Sequence, residues 1–478
     1  MLTACNSWLD VTPETEQKES DQFSSYEGFC NALTGCYLDL ADQDSYGERL
    51  SITNIESLAN LWYFDDYCYR YEDKDLASHD YTTSYAEDAI QEIYAQLFKT
   101  IAEANLIIKN GAEKGNVITD ATLRNTIIGE AYAIRAYCQF DVLRLFGQLP
   151  QGATQRVSLP YSETTSIDEM PPYYDFDAYV AKLKADVKQA ETLLKDNDPA
   201  CYYSFDDLKG SEVVDSYFNY RQSRLNYWAV LGLEARVLLY LGEKDAAYKQ
   251  AMSLINATLN GNPVITMSGV SDFNAGYKLM PSECLFYVSK YDIKDNTLSF
   301  LIGGETSKGF GSKTLGLTSS MLNELYSGCQ VASHNRYLNW WNRNVMNSFG
   351  TYMVTTTKYY WEDTVKNQML YYKLVPMLRM SEIYLIAMEC APTLNESNRL
   401  YTDYRLQHAV PNDPDFTSQE ELTEFLNGEY RREFFAEGQA FYYYKRTGAT
   451  KMLWRDAPVS ESEYILPLPI TEYNPSNN

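Results

Sequence analysis

Apolar residues recur at helical spacing through most of this chain and lose that spacing in two long stretches. Ile90, Ile93, Leu97, Ile101 and Ala104 line one face and predict a helix over 86–113. Ile127, Ala131, Ile134, Cys138, Val142 and Leu145 do the same for 121–146, with Gly147 placed to end the helix and Pro150 to stop it. The same pattern predicts helices over 26–40, 175–196, 223–259, 378–390, 396–408 and 418–446. Between them, 8–20 is extended, 47–85 is irregular and dense in Tyr, Asp and Trp, and 261–375 is rich in Gly, Ser, Thr and aromatics, as short strands and loops require. A Pro-rich tail follows, with Leu466-Pro-Leu-Pro469 and Asn474-Pro475.

Within 223–259, Trp228-x-x-Leu231-Gly232, Gly242 and Ala247 resemble one tetratricopeptide unit, although Ala235 stands at the consensus Tyr position. Helix pairs at 86–146 and 378–408 can stack in the same way, each burying the face its neighbour leaves open.

Charge narrows the partners. Against 40 basic residues stand 65 acidic ones, a net charge of −25 over 478 residues. Nucleic acid needs clustered Lys and Arg to displace counterions, and docking on anionic lipid needs a basic face. Neither is offered. No window approaches the ~18 apolar residues of a membrane span. Leu2-Thr3-Ala4-Cys5 fits a bacterial lipobox, so residues 1–5 are expected to be the remnant of a lipoprotein signal and Cys5 the lipid-bearing residue. The other eight cysteines form no CxxC pair. Cys138 and Cys390 fall in apolar helical stretches and read as core; disulfides among Cys30, Cys36, Cys68, Cys201 and Cys329 stay open.

Signatures of catalysis are missing. His79, His334 and His408 lie far apart with no metal-ligand spacing, and there is no GxSxG nucleophile elbow. Gly309-Phe-Gly-Ser-Lys-Thr314 lacks the glycines that let a phosphate loop approach its ligand. Asp42-Gln-Asp44 starts like a calcium loop but has Tyr46 at the fifth position and Thr53 in place of the closing Glu. No cofactor and no metal is expected. A carboxylate pair for glycoside hydrolysis has too many possible members to choose from sequence.

Seven motifs in one order resemble the SusD/RagB family of outer-membrane nutrient-binding lipoproteins. They are Cys5-x-x-x-Leu9-Asp10-x-x-Pro13 with Phe23 and Ala32-Leu33-x-Gly35-x-Tyr37; Gly129-Glu130-Ala131-Tyr132-Ala133-Ile134-Arg135-Ala136-Tyr137 running on to Phe146-Gly147 and Pro150; and Ser282-Glu283-Cys-Leu-Phe286. Arg379-Met-Ser-Glu382-Ile-Tyr384-Leu385, Glu429-Tyr-Arg431-Arg432-Glu433-Phe-x-x-Glu437-Gly438, Lys445-Arg446 and the Pro-rich tail complete the set. The chain departs from the family pattern at Gln439–Tyr444 and at His334-Asn335-Arg336, where Asp-x-Arg is common. Glu130, Arg135 and the Arg431–Glu433–Glu437 group read as charge pairs that fix helix packing.

The resemblance implies one composite, mainly α fold. Residues 6–260 would form an N-terminal region with tetratricopeptide-like helices, 261–375 an irregular loop and short-strand region, and 376–478 the C-terminal helices and tail. It further implies a non-catalytic, lipid-anchored protein on the outer face of the outer membrane that binds oligosaccharide or polysaccharide and delivers it to a TonB-dependent, SusC-like transporter. A peptide ligand on the same fold is the alternative, and a surface glycosidase a more distant one.

The family motifs do not encode the ligand site. Two aromatic segments supply the candidates. The first carries Trp62, Tyr63, Asp66, Tyr67, Tyr69, Arg70 and Tyr71, and with Phe64 it places six aromatics in ten residues, interleaved with Asp and Arg. Sugars need that mixture, because C–H faces stack on rings while hydroxyls bond carboxylate and guanidinium; the same rings could fill a minor core instead. The second is Trp340, Trp341 and Arg343, where adjacent side chains on a strand point opposite ways, so at least one Trp packs inside.

Overall fold

In the computed structural model the described residues are 19–473, less 66–67, 166–168, 211, 268, 302–312, 347–349, 351, 362–370, 409 and 412. The expected lipidation residue Cys5 and the candidates Asp66 and Tyr67 lie outside them.

The chain is mainly helical, and its long helices start where the sequence places a cap. Ser25 accepts the Gly28 N–H at the head of Tyr26–Leu40, Thr83 accepts that of Ala86 at the head of Ser84–Lys114, and Asp120 accepts those of Thr122 and Leu123 at the head of Ala121–Phe146. Consecutive helices pack on one another: Ser84–Lys114 on Ala121–Phe146, which packs on Phe176–Leu194, and Tyr227–Tyr240 on Lys244–Ile255, which Met380–Cys390 covers in turn. Among the described residues no helix is long and apolar enough to cross a membrane.

Ala121–Phe146 is the central helix, buried on every side from Thr126 onward. A helix closed in all round must answer each of its charges. Glu130 Oε1 takes Arg221 Nη1 at 2.5 Å and its other oxygen takes the Tyr37 hydroxyl at 2.5 Å. Arg135 forks onto Asp186 at 2.7 and 2.6 Å, and Arg144 pairs with Asp141 while its guanidinium lies 3.6 Å from the centre of the Tyr442 ring. These are the interhelical pairs anticipated for Glu130 and Arg135.

Several boundaries differ from the periodic reading. The run 223–259 breaks into Tyr227–Tyr240 and Lys244–Ile255 at Gly242, whose φ of +77° suits glycine. The run 418–446 breaks into Gln419–Glu433 and Ala440–Thr447. Gly438 causes that break: at φ +74° its N–H donates 2.7 Å to Glu56, and a Cβ there would sit 2.3 Å from the Leu50 carbonyl oxygen. Leu378 and Arg379, read as helical, end a strand instead. Cys284–Ser289 and Leu374–Arg379 pair antiparallel, with Cys284 opposite Arg379 and Ser289 opposite Leu374. Trp341–Met346 and Tyr352–Thr356 form a second antiparallel pair, this one a hairpin, in the middle region. The irregular stretch 47–85 holds two short helices, Asn54–Leu58 and Tyr71–Ser78.

The strand pair aims Arg379 into a buried charge network. Arg379 meets Glu437 at 2.8 Å, Glu433 at 2.5 Å and Glu283 closer still. Arg336 joins Glu433 at 2.8 Å and Glu429 at 2.7 Å, and Lys358 joins Glu437 at 2.6 Å. Arg431, grouped with these glutamates from sequence, is not a member; it bonds Asn427 and the Tyr444 hydroxyl, and Arg432 is the residue that pairs with Glu429. Successive helical residues face different ways, and only one of the two arginines can reach the network. The eight described cysteines are free thiols.

Candidate functional site

The segment 61–71 is held in place at three points. Its backbone joins the middle region where the Tyr63 N–H donates 2.9 Å to the Gly316 carbonyl, and Leu317 bridges to Val354 of the second hairpin. Its far end is pinned by buried Asp73, whose one oxygen accepts from Asn54 at 2.8 Å and Ser57 at 3.0 Å while the other pairs with Arg70. Arg70 also reaches Glu48 at 3.2 Å and lies 4.9 Å from the centre of the Phe300 ring. Burial pushes the Glu48 carboxyl up, and Arg70 draws it back down.

Fixing the loop in this way sorts its aromatics into two groups. Trp62 points inward: it is 3% exposed, donates its indole N–H 2.9 Å to the Ile52 carbonyl, and meets Phe435 edge-on at 4.9 Å. Trp341, 6% exposed, meets the same Phe435 ring at 4.8 Å from another direction. Trp340 is 1% exposed and has Lys358 over its face at 4.0 Å. The two aromatic segments therefore do converge, but on a core ring. An indole enclosed on both faces has none to offer a sugar, so the expectation that Trp62 or one of the Trp340–Trp341 pair stacks on ligand gives way to a core role for all three. Arg70 is spent on internal carboxylates, and Arg343 is exposed but lies over the Tyr337 ring at 4.3 Å and donates to the Tyr337 carbonyl at 2.7 Å.

What the loop presents to solvent is a patch of tyrosines. Tyr69, Tyr71 and Tyr85 are 47%, 43% and 51% exposed. Tyr71 and Tyr85 lie nearly parallel, 25° apart with centroids 5.1 Å apart, and Tyr69 meets Tyr71 edge-on at 6.0 Å. The two stacked rings are positioned by helix starts: Tyr71 opens Tyr71–Ser78, and Tyr85 is the second residue of Ser84–Lys114, just past its Thr83 cap. Polar groups flank them. Arg49 bonds Asp44 at 2.8 Å, contacts Glu92, and comes within 3.8 Å of Glu72, the residue after Tyr71. Half-buried Tyr63 supplies a further ring from the same loop. Tyr85 escaped the sequence reading because helical periodicity takes over just after it; the signal was its place in the first, outward-facing turn of a capped helix.

Among the described residues one trio, Glu283, His408 and Glu433, is close enough to share a metal ion. Arg379 already holds both carboxylates, and Arg336 holds Glu433 as well. A divalent ion would have to displace guanidinium groups that neutralise its ligands, so the trio reads as part of the charge network.

Comparison with known proteins bears on the fold and the family. Residues 323–464 match the model of the SusD family. A SusD-like protein from Formosa agariphila, P38, is 25% identical over 257 residues, which is 53% of this chain and 43% of that protein; the match therefore spans less than half of the relative's length. A SusD superfamily structure from Bacteroides thetaiotaomicron superimposes with a TM-score of 0.71 at 18% identity, covering 95% of this chain and 98% of that one. A laminarin-binding SusD-like protein superimposes with a TM-score of 0.67 at 15% identity, covering 94% and 97%. The chain is thus SusD-like: it carries the SusD fold along nearly its whole length, and its residues 323–464 carry the family's sequence signature.

Proposed function

We propose that this protein binds oligosaccharide or polysaccharide on the outer surface of the cell without cleaving it, and passes it to a SusC-like, TonB-dependent transporter of the outer membrane, with Cys5 supplying the lipid anchor. The observation that carries the reading is the exposed Tyr69–Tyr71–Tyr85 patch, flat rings beside carboxylates and a guanidinium on a pinned loop. Sugar rings stack on such faces, and the rigid mounting means little ordering entropy is lost on binding. The laminarin-binding protein of the same fold supports the ligand class. Arg70 and half-buried Tyr63 act as positioning residues rather than contacts; Asp66 and Tyr67, candidates from the sequence, lie outside the described residues.

A glycan array, followed by titration calorimetry with the best-bound polysaccharide, tests this. Replacing Tyr71 and Tyr85 together by Ala is expected to weaken binding about tenfold or more, from ~1–3 kcal/mol for a stacked ring, with little change in melting temperature because the rings are exposed. Wild-type protein that ignores every glycan but retains peptides, or a double variant that binds as tightly as wild type, would overturn the reading. Protein-dependent release of sugar from a bound glycan would overturn its non-catalytic part.

A further inference from the structure

Far along the chain from the tyrosine patch, between the Gln419–Glu433 helix and the segment 327–336, lies an open cavity of about 400 Å³ lined by both rings and carboxylates. That volume falls at the small end of the ~300–1,000 Å³ range of small-molecule sites. One wall is the segment that leads into the helix. Asn398 clamps it, donating 3.0 Å to the Phe416 carbonyl and accepting from the Phe416 N–H at 2.8 Å. The clamp sets the half-exposed rings of Phe416 and Phe425 5.2 Å apart and inclined by 46°, both packed on buried Tyr401 at 4.6 and 5.0 Å.

The carboxylates that line the cavity fall into two sets. Buried Glu429 is answered by Arg336 at 2.7 Å and Arg432 at 3.1 Å, and Arg336 also meets Glu433 at 2.8 Å. The second set is half-exposed Asp413 with exposed Asp415, Glu421 and Glu424, and among the described residues none of the four pairs with a Lys or Arg. Gln330 donates 2.9 Å to Asp413. Thr417 donates to Glu421 from its N–H at 2.6 Å and its hydroxyl at 2.9 Å, which holds the Glu421 carboxyl below its ordinary value. These donors are neutral, so the charge stays at the mouth. Arg405 is spent on the Asp413 carbonyl and lies 5.3 Å from the centre of the Tyr401 ring.

We propose that this cavity binds a small organic cation, an alkylammonium or alkylguanidinium, with its stem against Phe416 and Phe425 and its N–H groups on the carboxylates at the mouth. Charge decides the sign of the ligand. Arg336 and Arg432 are already matched by Glu429 and Glu433, so an anion finds no spare cation and meets four uncompensated carboxylates. A neutral molecule would leave those carboxylates as they are. The spacing of the acids decides against a bare metal ion, which needs several oxygens converging on one point. Among the described residues the one trio close enough to share an ion is Glu283, His408 and Glu433, and it does not line this cavity. A charge spread over an ammonium or guanidinium group suits acceptors that stand apart. The rings supply the rest, since an aromatic face attracts a cation within about 6 Å and its apolar surface covers the stem.

The inference stands apart from the proposed function, because it involves neither the tyrosine patch nor a glycan. Titration calorimetry and saturation-transfer NMR on the full chain would use n-butylammonium and n-butylguanidinium as probes. n-Butanol serves as the neutral isostere, butyrate as the anion and calcium as the bare ion. At least one organic cation is expected to bind about tenfold or more tighter than butanol, and to weaken severalfold from low to high salt. Phe425→Ala should weaken that binding about fivefold, and Glu424→Gln, at an exposed position that leaves the fold alone, about threefold. Glu87→Gln, which removes an exposed carboxylate of the Ser84–Lys114 helix, should change nothing. Circular dichroism confirms that each variant is folded. A blocked Gly-Lys-Gly peptide names the source of the cation: tighter binding than butylammonium assigns the cavity to a polypeptide side chain, and equal or weaker binding assigns it to a free amine. The proposal is overturned if neither cation binds wild type, if butanol or calcium binds as well as the cations, or if Glu87→Gln weakens binding as much as Glu424→Gln. Full affinity in folded Phe425→Ala and Glu424→Gln would overturn it equally.

Discussion

Arg379→Met is the sharpest probe of the frame that holds this protein together. The side chain is 1% exposed and its guanidinium touches Glu283, Glu433 and Glu437. Met keeps most of the volume and removes the charge. Arg336, Lys358 and Arg432 remain to balance Glu283, Glu429, Glu433 and Glu437, leaving one carboxylate too many in the core. Removing one partner of a buried pair costs roughly 3–5 kcal/mol. An independent route gives a similar figure. The orphaned carboxyl can take a proton instead, and from the ordinary value of 4.5 for a glutamate protonation at pH 7 costs about 1.4 kcal/mol per pH unit, or about 3.4 kcal/mol. The second route also fixes the pH dependence. In the variant the folded state binds a proton that the unfolded chain does not hold above 4.5, so the penalty shrinks by about 1.4 kcal/mol for each unit the pH falls from 7 toward 5. Urea unfolding of wild type and variant at pH 7, 6 and 5 reads this directly, since terms common to both proteins cancel in the difference. Arg379→Met with Glu433→Gln should be less destabilised at pH 7 than Arg379→Met alone. A penalty that stays constant across this range, or a double variant worse than the sum of its parts, would show that the cost does not come from an unpaired carboxylate.

Trp62→Ala should cost about 3–5 kcal/mol of folding stability, since it opens a cavity beside Phe435 and strips the Ile52 carbonyl of its donor; a variant that melts like wild type but has lost ligand would restore Trp62 to the site. His408 is buried and held down to about 4 against an ordinary 6.5, so its contribution is whole above 6.5 and is lost as pH falls toward 4, by about 2 kcal/mol at pH 5. Glu56 and Glu283, pushed up to about 8 and about 7 by burial, act in the opposite sense between 4.5 and 8; the His408 effect is therefore measured as the difference in pH slope between wild type and His408→Gln, and equal slopes would refute it.

Helical periodicity and caps were enough to place the long helices, because a helix that buries one stripe or all of its faces writes that burial into its own sequence; Tyr26–Leu40 and Ala121–Phe146 match to the residue. Periodicity could not see the breaks at Gly242 and Gly438, which depend on a positive φ and, at Gly438, on a carbonyl from residue 50 that only folding brings near. Composition showed that 61–71 had the chemistry of a sugar platform but not which rings would face out. That choice belongs to tertiary contacts: Phe435, from the other end of the chain, draws Trp62 and Trp341 into one core, and Asp73 turns Tyr69 and Tyr71 outward beside Tyr85. Sequence paired Glu130 and Arg135 with partners in general, whereas the fold chose Arg221 and Asp186. Local sequence sets what a segment can bury or expose, and a ring's exposure depends on which distant segment arrives to cover it.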